Sequence, residues 1–474
     1  ERPAASEARP QRACIHTLGC RLNQAESALL AERLAAAGYQ VVPFGEAADL
    51  GIIHTCTVTR EADAKSRKLV RQFLRKNPEA FTAVIGCYAQ TDAETLAAIH
   101  GVDLVVGNAE KMEVLEYVRE MEEASGKGRP SVARVARSGD RPQPGASVAR
   151  LGDGPQRVTG ARVVCERIGR ADFRIDVPAS STPVGARVHL KIQDGCNFMC
   201  SFCIIPFARG RVRSRAMDNL LEEARSLVAR GAGELVLTGV NLGTYAYAGL
   251  GLLDVVDALD ALDGLARVRI SSIEPTTIPE ALLDRMADPR HVLAPHLHMP
   301  LQSGSNRILE AMRRVYTREE YLDFAVRAHE RVPSLNIGAD VMVGFPGERE
   351  ADFEATADLL EAGPISYAHV FQYSERAGTA ACRIEDKVPP AVAQERSRRL
   401  REIGATKRER FHRAQLGHTT PVLFEQIEHG GWAGYTGNYI RVVVRSPQRL
   451  QDQWRSVQLE RADGKIVHGI LSEE

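Results

Sequence analysis

The sequence has no long apolar run. No segment of its 474 residues reaches the roughly 18 uncharged, apolar residues that a membrane-spanning helix needs. The opening residues, ERPAASEARPQRA, are polar and lack the apolar core of a secretory signal. These absences predict a cytoplasmic protein with no membrane partner. A reducing cytosol disfavours structural disulfides, so the presence of nine cysteines favours metal binding or catalysis over disulfide formation.

The chain also has no excess of either charge. It contains 61 Lys and Arg residues and 61 Asp and Glu residues. This balance neither proves nor excludes a nucleic-acid partner, because the distribution of charge decides such binding. The length allows roughly three domains of about 150 residues, each large enough to bury a core.

Short apolar runs alternate with helical segments over two long stretches. Residues 12–120 predict an open parallel sheet of the Rossmann or flavodoxin type with helices on both faces. Residues 184–413 contain about six more strands and predict a parallel barrel or partial barrel, with its chemistry at the carboxyl ends of the strands. Residues 121–183, rich in Gly, Pro, Ser and Arg, are predicted to form a flexible linker or insertion. Residues 415–474 contain short alternating strands, which predict a small antiparallel barrel.

A fourth ligand is missing beside three closely spaced cysteines. Cys196, Cys200 and Cys203 have the spacing C-x3-C-x2-C, and the next histidine is His291. Structural zinc sites usually close with a fourth Cys or His at short spacing. Three thiolates, in contrast, leave one iron of a cubane iron–sulfur cluster open to a small molecule. On the spacing alone, zinc and an iron–sulfur cluster are about equally supported.

Three further cysteines each follow an apolar run. Cys20, Cys56 and Cys87 end the segments IHTLGC, GIIHTC and TAVIGC. Because carboxyl ends of parallel strands share one edge of a sheet, the three thiols are expected to converge. Any one of them alone would more simply fill a core, but the repeated position favours a second cluster. The remaining cysteines match no such pattern and are expected to be structural or incidental: Cys14, Cys165 and Cys382.

The motifs around these cysteines resemble those of a known family. C-x3-C-x2-C with an aromatic residue, Phe202, before the last cysteine resembles the signature of radical S-adenosylmethionine (SAM) enzymes. Among these enzymes, the methylthiotransferases have motifs that this chain resembles in the same order: TLGCRLNQAES, HTCTVTREADAKSRK, IGCYAQ, KIQDGCNFMCSFCIIPFARG, LTGVNLGTY, HLHMPLQSGSNRILEAMRRVYT, DVMVGFPGE and HVFQYSERAGTAA. The closing β domain resembles their RNA-binding TRAM module. The resemblance covers nearly the whole chain outside the first dozen residues and the linker.

Within this family the chain is most similar to the branch that acts on threonylcarbamoyladenosine in tRNA, through HTLGC, TCTVT, GCYAQ, RISSIEP and YTGNY. The resemblance implies a transferase that inserts a methylthio group at carbon 2 of N6-threonylcarbamoyladenosine next to the anticodon, with two SAM per turnover. Two substrates of the same chemistry stay open as alternatives, isopentenyladenosine in tRNA and a ribosomal-protein aspartate. A non-catalytic RNA-binding protein with structural metal would instead hold zinc or closed clusters and would not cleave SAM.

The resemblance also assigns residues to cofactors, with no catalytic residue beyond the clusters. It implies a radical-generating 4Fe–4S cluster on one set of cysteines and an auxiliary 4Fe–4S cluster on another: Cys196, Cys200 and Cys203, then Cys20, Cys56 and Cys87. It implies SAM contacts at Phe202, Thr238, Gly239, Glu274, Gln302 and Ser303. The polar members of this second set could equally serve as turn or cap residues.

The expected substrate is the anticodon arm of tRNA. Candidate contacts are Asn23, Arg313, Tyr316, Arg209, Arg211, Arg213, Trp432, Tyr435 and Tyr439. Positive charge is concentrated in ARGRVRSR, in residues 60–76 with seven Lys and Arg against two acids, and in residues 396–413 with eight against two. Residues 415–474 hold six basic and seven acidic residues, so this domain is expected to position the arm by aromatic stacking, unless its aromatic side chains fill a core instead. An electron donor such as flavodoxin or ferredoxin and a sulfur donor are further expected partners of a monomeric enzyme.

Overall fold

The structure is a computed structural model that describes residues 10–124, 157–158 and 160–472. Its chain forms two compact units. The first contains the described residues up to Ala171, with Asp176–Ser180 and Ile204–Arg211. The second contains Asp172–Ile175, Ser181–Cys203 and the described chain from Val212 onward. Within the described part of the chain, no helix is both long and apolar enough to cross a membrane.

The first unit is built on a seven-stranded sheet with the order β2-β1-β3-β4-β5-β7-β6. Its strands are β1 (Arg12–Thr17), β2 (Gln40–Val42), β3 (Leu50–Thr55), β4 (Phe81–Gly86), β5 (Leu104–Val106), β6 (Arg157–Val158) and β7 (Ala161–Val164). Its helices are α1 (Arg21–Ala36), α2 (Arg60–Lys76), α3 (Cys87–Thr91), α4 (Ala93–Ala97), α5 (Val114–Ala124) and α6 (Ile205–Arg209), with a 3-10 turn at Lys111–Glu113. All neighbouring strands are parallel except β6 and β7.

Both faces of this sheet are buried, as the sequence predicts. Alternate residues of β3 and β4 enter two separate apolar cores, with Ile53 and Val84 in one and Ile52 and Ile85 in the other. Side chains alternate between the two faces of a strand, so a run that is apolar at every position must be covered on both sides. This arrangement confirms the predicted open parallel sheet.

Part of the range predicted to be a linker belongs to the sheet instead. Within 121–183, residues 121–124 complete α5, and β7 pairs in parallel with β5. Ala161 and Val163 pack into one apolar core and Val164 into the other, so β7 extends the buried sheet. The Gly- and Pro-rich residues 125–156 and residue 159 lie outside the described residues.

The second unit contains six parallel strands in two groups of three, ordered β14-β11-β8 and β15-β16-β17. These strands are β8 (Arg187–Lys191), β11 (Glu234–Thr238), β14 (Arg267–Ile270), β15 (His296–His298), β16 (Asn336–Val343) and β17 (Tyr367–Gln372). The intervening helices are α7 (Met217–Ala229), α8 (Leu252–Asp260), α9 (Ala281–Ala287), α10 (Asn306–Ala311), α11 (Arg318–Arg331) and α12 (Glu350–Ala362), and α13 (Pro390–Ala414) follows β17. Two small hairpins pair β9 (Gln193–Asp194) with β10 (Arg213–Ser214) and β12 (Ala246–Tyr247) with β13 (Leu250–Gly251); 3-10 turns lie at Leu242–Thr244, Pro275–Thr277 and Ala380–Arg383. The prediction of a partial parallel barrel is confirmed.

The two faces of these six strands differ in polarity. One face supplies an apolar core shared with the helices, to which Leu190, Leu237 and Leu297 contribute. The residues that alternate with this core carry mostly polar side chains: Arg187, His189, Lys191, Glu234, Arg267, Arg269, His296, His298, Asp340, Tyr367 and His369. Because successive strand residues point to opposite faces, the sequences RVHLK, RVRI and HLHM give the strands one apolar and one polar face.

The carboxyl-terminal residues form a closed five-stranded barrel, as predicted. Its strands are β18 (Thr419–Glu428), β19 (Gly431–Tyr435), β20 (Arg441–Val444), β21 (Trp454–Asp463) and β22 (Ile466–Leu471), in the order β18-β19-β20-β22-β21. The loop after β19 lies at the amino-terminal ends of the six parallel strands. Arg269 donates to the carbonyl oxygens of Thr436 and Gly437, and Asn336 donates to that of Asn438 at 2.7 Å.

Candidate functional sites

The first candidate site is the loop after β9, which lies in the second unit and carries three cysteines. Cys196, Cys200 and Cys203 are all partly exposed, and the amide of Cys203 donates to the carbonyl of Cys200 at 3.1 Å. Burial raises the pKa of the Cys196 thiol to about 11, and the charge of Cys200 contributes to the rise. The three sulfur ligands therefore share one partly buried loop, which is the donor set that an open cubane cluster requires.

Arg314 lies directly beside this loop. Its guanidinium donates to the Cys200 Sγ at 3.3 Å, forms an ion pair with Glu274 and donates to the Tyr316 hydroxyl at 3.0 Å. Burial raises the pKa of Glu274, and the charge of Arg314 opposes that shift. The structure thus brings Glu274 and Tyr316 to the cysteine loop. The neighbouring Arg313, which the sequence predicts as a substrate contact, is exposed.

The other predicted SAM contacts lie at strand ends or beside the same loop. Thr238 is buried at the end of β11 and donates to the Leu190 carbonyl, while Phe202 packs against a small apolar cluster. A Cβ on Gly239 would lie 2.7 Å from the Gln193 amide oxygen, so only glycine fits there. Ser303 is buried, with its hydroxyl 3.3 Å from that of Thr356.

Two buried polar atoms of this region have no hydrogen-bond partner among the described residues. They are the Gln302 amide oxygen and the Asn241 amide nitrogen. A buried polar group without a partner is costly, and such groups mark places where a polar ligand completes the bonding. Together with the three-cysteine donor set, these atoms fit the SAM and cluster that the sequence implies.

A polar cluster that the sequence did not single out lies on the same polar strand face. One ring nitrogen each of His298 and His369 and one carboxylate oxygen of Asp340 all lie within 4.8 Å of one another. Asp340 Oδ1 is 3.0 Å from His298 Nε2 and 3.4 Å from His369 Nδ1, and Tyr367 Oη is 3.3 Å from His298 Nδ1. Burial alone would raise the pKa of Asp340, but the two imidazoles hold it well below its usual range, so the carboxylate is ionised. The only signal for this cluster in the sequence was that polar residues occupy every second position of β15 and β17.

The second candidate site, in the first unit, is formed by the strand-end cysteines. Cys20 directly precedes α1, Cys56 follows β3, and Cys87 begins α3 directly after β4. Burial raises the pKa of the Cys56 thiol to about 11, with further increases from Cys87 and Cys20, so the three sulfurs interact. Cys20 keeps an exposed face, although the protein packed around it raises the pKa of its thiol. All three lie just beyond the carboxyl ends of the neighbouring strands β1, β3 and β4, as the sequence predicts, and their joint role as ligands of one cluster stays a prediction.

Gly19 makes this convergence possible. Its φ is +105°, in the region that favours glycine, and a Cβ there would lie 2.8 Å from the Cβ of Cys56. The remaining cysteines lie elsewhere: Cys14 is buried in the sheet core, the Cys165 thiol donates to the Ala89 carbonyl, and the Cys382 thiol donates to the Arg376 carbonyl.

Buried polar residues surround the strand-end cysteines. Asn23 and Glu26 lie one turn apart on α1, Asn108 and Lys111 follow β5, and Arg209 ends α6. Arg209 donates to Asn23 Oδ1 at 2.5 Å and to Glu26 Oε2 at 3.2 Å. Lys111 donates to the same carboxylate at 2.5 Å and to Asn108 Oδ1 at 2.8 Å. Of these five residues, the sequence had identified only Asn23 and Arg209. A position just after strand β5 was the signal available for Asn108 and Lys111.

The burial of Arg209 corrects a prediction. The sequence placed it with Arg211 and Arg213 as a phosphate contact, but it is only 1% exposed. A guanidinium enclosed by protein cannot neutralise a phosphate at the surface. Arg211 is exposed, while Arg213 is partly buried, 3.6 Å from Asp194.

The three aromatic residues expected to stack on RNA have different surroundings. Tyr435 and Tyr439 stack on each other with ring centroids 4.6 Å apart. Arg187 lies over the Tyr435 ring at 4.7 Å, and Arg269 lies over the Tyr439 ring at 4.7 Å. These protein partners occupy the ring faces, which disfavours the expected stacking on bases. Trp432 is partly exposed and borders a cleft of about 360 Å³ with Ile427 and Arg445.

Comparisons with known proteins agree with this division of sites. Residues 12–107 match the uncharacterized protein family UPF0004, and residues 190–360 match the radical SAM superfamily. The solved radical SAM methyltransferase TsrM of Kitasatospora setae shares the fold, with a TM-score of 0.52, 15% identity, and coverage of 76% of this chain and 73% of TsrM.

Curated relatives match most of the chain. The threonylcarbamoyladenosine tRNA methylthiotransferase MtaB of Aquifex aeolicus (strain VF5) is 37% identical over 404 residues, covering 85% of this chain and 90% of that protein. MtaB of Bacillus subtilis (strain 168) is 35% identical, with 92% and 91% covered. The tRNA-2-methylthio-N(6)-dimethylallyladenosine synthase of Cereibacter sphaeroides (strain ATCC 17023) is 34% identical, with 87% of each chain covered. With its two cysteine sites, the chain belongs to the family of radical SAM tRNA methylthiotransferases.

Proposed function

We propose that this chain inserts a methylthio group at carbon 2 of N6-threonylcarbamoyladenosine, the nucleoside next to the anticodon of tRNA. The observation that carries the proposal is the pair of separate three-cysteine sites, one in each unit, because this chemistry needs one site to generate a radical and another to supply sulfur. The similarity to the MtaB relatives supports the threonylcarbamoyl substrate over the isopentenyl one.

In the second unit, Cys196, Cys200 and Cys203 would hold a 4Fe–4S cluster. With SAM bound, that cluster supplies a carbon radical able to remove hydrogen from an aromatic carbon, a C–H bond that acid–base chemistry cannot easily break. The protein orients the ligands: Arg314 fixes one cysteine sulfur, and Glu274 and the orphaned Gln302 oxygen offer acceptors for the SAM amino and ribose groups. Phe202, Thr238, Gly239 and Ser303 line the same region as proposed SAM contacts.

In the first unit, Cys20, Cys56 and Cys87 would hold the auxiliary 4Fe–4S cluster. That cluster would carry the sulfur that is transferred, which the external sulfur donor replaces, and a first SAM would provide the methyl group. Asn23 and Arg209 belong to this site by their contacts, and Tyr316 belongs to the radical site.

The tRNA is proposed to bind through the exposed Arg211, the basic residues 60–76 and 396–413, and Trp432 of the carboxyl-terminal barrel. Concentrated positive charge gives salt-dependent phosphate binding, and an exposed aromatic ring next to an arginine suits an unpaired base. In this assignment, residues 12–120 carry the auxiliary cluster, residues 184–413 the SAM chemistry and residues 415–474 the RNA-binding module. An external electron donor and a sulfur donor complete the cycle.

The first test is the metal content of anaerobically reconstituted protein. Two cubane clusters give about eight irons per chain, and Cys196→Ala, Cys200→Ala and Cys203→Ala together should leave about four. Zinc, or loss of all iron in the triple variant, would contradict the proposal and favour a metal-containing RNA-binding protein without catalysis.

The second test is the substrate. Mass spectrometry of tRNA nucleosides from a strain lacking the gene should show loss of the methylthio form of threonylcarbamoyladenosine and its return on complementation. Loss of the methylthio form of isopentenyladenosine, or of a methylthio group on a ribosomal-protein aspartate, would assign the chain to one of the alternative branches.

A further inference from the structure

Two cations flank the strand-end cysteines from within the protein. Arg209 and Lys111 are each 1% exposed, and both contact the buried carboxylate of Glu26. Water does not screen charges so enclosed, so each acts on its surroundings far more strongly than a surface arginine or lysine would.

Each cation also contacts an asparagine that approaches a cysteine sulfur. Arg209 donates to Asn23 Oδ1, which lies 3.7 Å from the Cys20 Sγ. Lys111 donates to Asn108 Oδ1, and the Asn108 amide nitrogen donates to the Cys87 Sγ at 3.4 Å. A positive charge beside the oxygen of an amide polarises that amide. Lys111 therefore strengthens the Asn108 N–H group as a donor to the Cys87 sulfur.

We propose that Arg209 and Asn108 set the reduction potential of the cluster held by Cys20, Cys56 and Cys87, making that cluster easier to reduce. The inference rests on the proposed function, because it needs an auxiliary cluster at these cysteines. Charge and hydrogen bonds to the sulfurs are the means by which a protein tunes such a potential. A nearby cation and an N–H donor both stabilise the reduced state, which carries one more negative charge.

Arg209 is a positioning and tuning residue, not one that touches the substrate.

The test isolates the auxiliary cluster in the full-length chain. The Cys196→Ala, Cys200→Ala, Cys203→Ala background removes the other cluster, and the remaining iron is counted before each measurement. The one-electron midpoint potential is then measured by EPR-monitored titration with dithionite and redox mediators; one electron enters the cluster and no bond is broken. Absence of iron in this background would overturn the auxiliary cluster itself and, with it, this inference.

With iron present, Arg209→Gln should make reduction at least tenfold less favourable, a fall in potential of about 59 mV for a one-electron couple. Arg209→Lys keeps the charge and should restore most of the potential. Arg170→Gln removes the same charge from an exposed arginine of the same unit and should change the equilibrium less than twofold. A potential in Arg209→Gln that matches the parent, with iron retained, would overturn the inference while leaving the proposed function intact.

A second variant decides the matter if Arg209→Gln does not hold iron. Asn108→Leu keeps the side-chain volume but removes the N–H donor to the Cys87 sulfur. The midpoint potential should be lower in this variant too, and an unchanged midpoint potential would refute the inference. A purely structural role for these residues would alter thermal stability without moving the potential.

Discussion

The Arg314 guanidinium donates a hydrogen bond to the Cys200 sulfur at 3.3 Å. The same side chain pairs with Glu274 and donates to the Tyr316 hydroxyl, so one buried cation connects a predicted cluster ligand to the proposed SAM contact Glu274. We infer that the loop after α10 belongs to the proposed radical site, and this relationship gives the first prediction.

Arg314→Gln should reduce the rate of SAM cleavage about 10- to 100-fold, the usual cost of losing a group that orients a metal ligand. It removes both the charge beside the sulfur and the partner of Glu274. The rate is measured as 5′-deoxyadenosine formed under reducing conditions. Arg313→Gln is the matched control, because Arg313 is the exposed neighbour, and it should keep the parent rate. Equal loss in both variants would refute the assignment.

Gly19→Ala should selectively destroy the auxiliary site. The added Cβ would lie 2.8 Å from the Cys56 Cβ, at a backbone φ that disfavours alanine. We expect the iron content to fall from about eight to about four per chain, with SAM cleavage retained. Gly38→Ala supplies the control, since Gly38 also has a positive φ, of +89°, but its Cβ would meet nothing within 4 Å. Full iron in Gly19→Ala would contradict the close approach.

Glu110→Gln should change how stability depends on pH. Burial raises the pKa of Glu110 from 4.5 to about 7, although amide hydrogen bonds oppose the shift. The folded protein therefore binds this proton more tightly than the unfolded chain, and the associated stability is lost as pH rises from about 4.5 to 7. At pH 8 the variant should be more stable by up to about 3 kcal/mol.

Denaturant unfolding of the parent and of Glu110→Gln across pH 5–8 checks this prediction. The difference between the two proteins should grow as pH rises. Glu116→Gln, a change at an exposed carboxylate six residues away, should follow the parent curve. A constant difference across the pH range would show that Glu110 keeps an ordinary pKa.

Arg269→Met should loosen the carboxyl-terminal barrel. Arg269 pairs with the fully buried Glu234 and donates to two carbonyls of the loop after β19. Burial alone would raise the pKa of Glu234, but Arg269 and Arg267 lower it to about 2, so the variant leaves a buried carboxylate with one partner fewer. The expected loss is about 3 kcal/mol. Faster limited proteolysis near residue 415 would report it, and Arg455→Met, at an exposed arginine of β21, should leave the rate unchanged.

Local sequence was sufficient for most of the strands and for the barrels, and it also predicted the two sets of cysteines. Apolar runs that end in Cys20, Cys56 and Cys87 predict strand ends, and the geometry of a parallel sheet then brings strand ends to one edge. The spacing of Cys196, Cys200 and Cys203 keeps them in one loop whatever surrounds it. These inferences need only the period of a strand and the direction of the chain.

The roles of the arginines were decided by tertiary packing. Arg209, Arg211 and Arg213 look equivalent in the sequence, yet only Arg209 is enclosed by Asn23 and Glu26. Arg313 and Arg314 are adjacent, yet of the two only Arg313 is exposed. The backbone of Arg313 is left-handed, with φ +59°. Tertiary packing also decided the position of β7. This strand follows a long Gly- and Pro-rich segment in the sequence, and it joins the sheet by pairing with β5.

The sequence by itself determined the order of domains, the two cysteine sets and the chemistry they imply, because covalent spacing and side-chain periodicity are local properties. Only the tertiary structure decided which charged side chains are buried beside those cysteines. That choice depends on segments far apart in the chain meeting at one sheet edge, where desolvation makes a pairing such as Arg209 with Glu26 strong enough to matter.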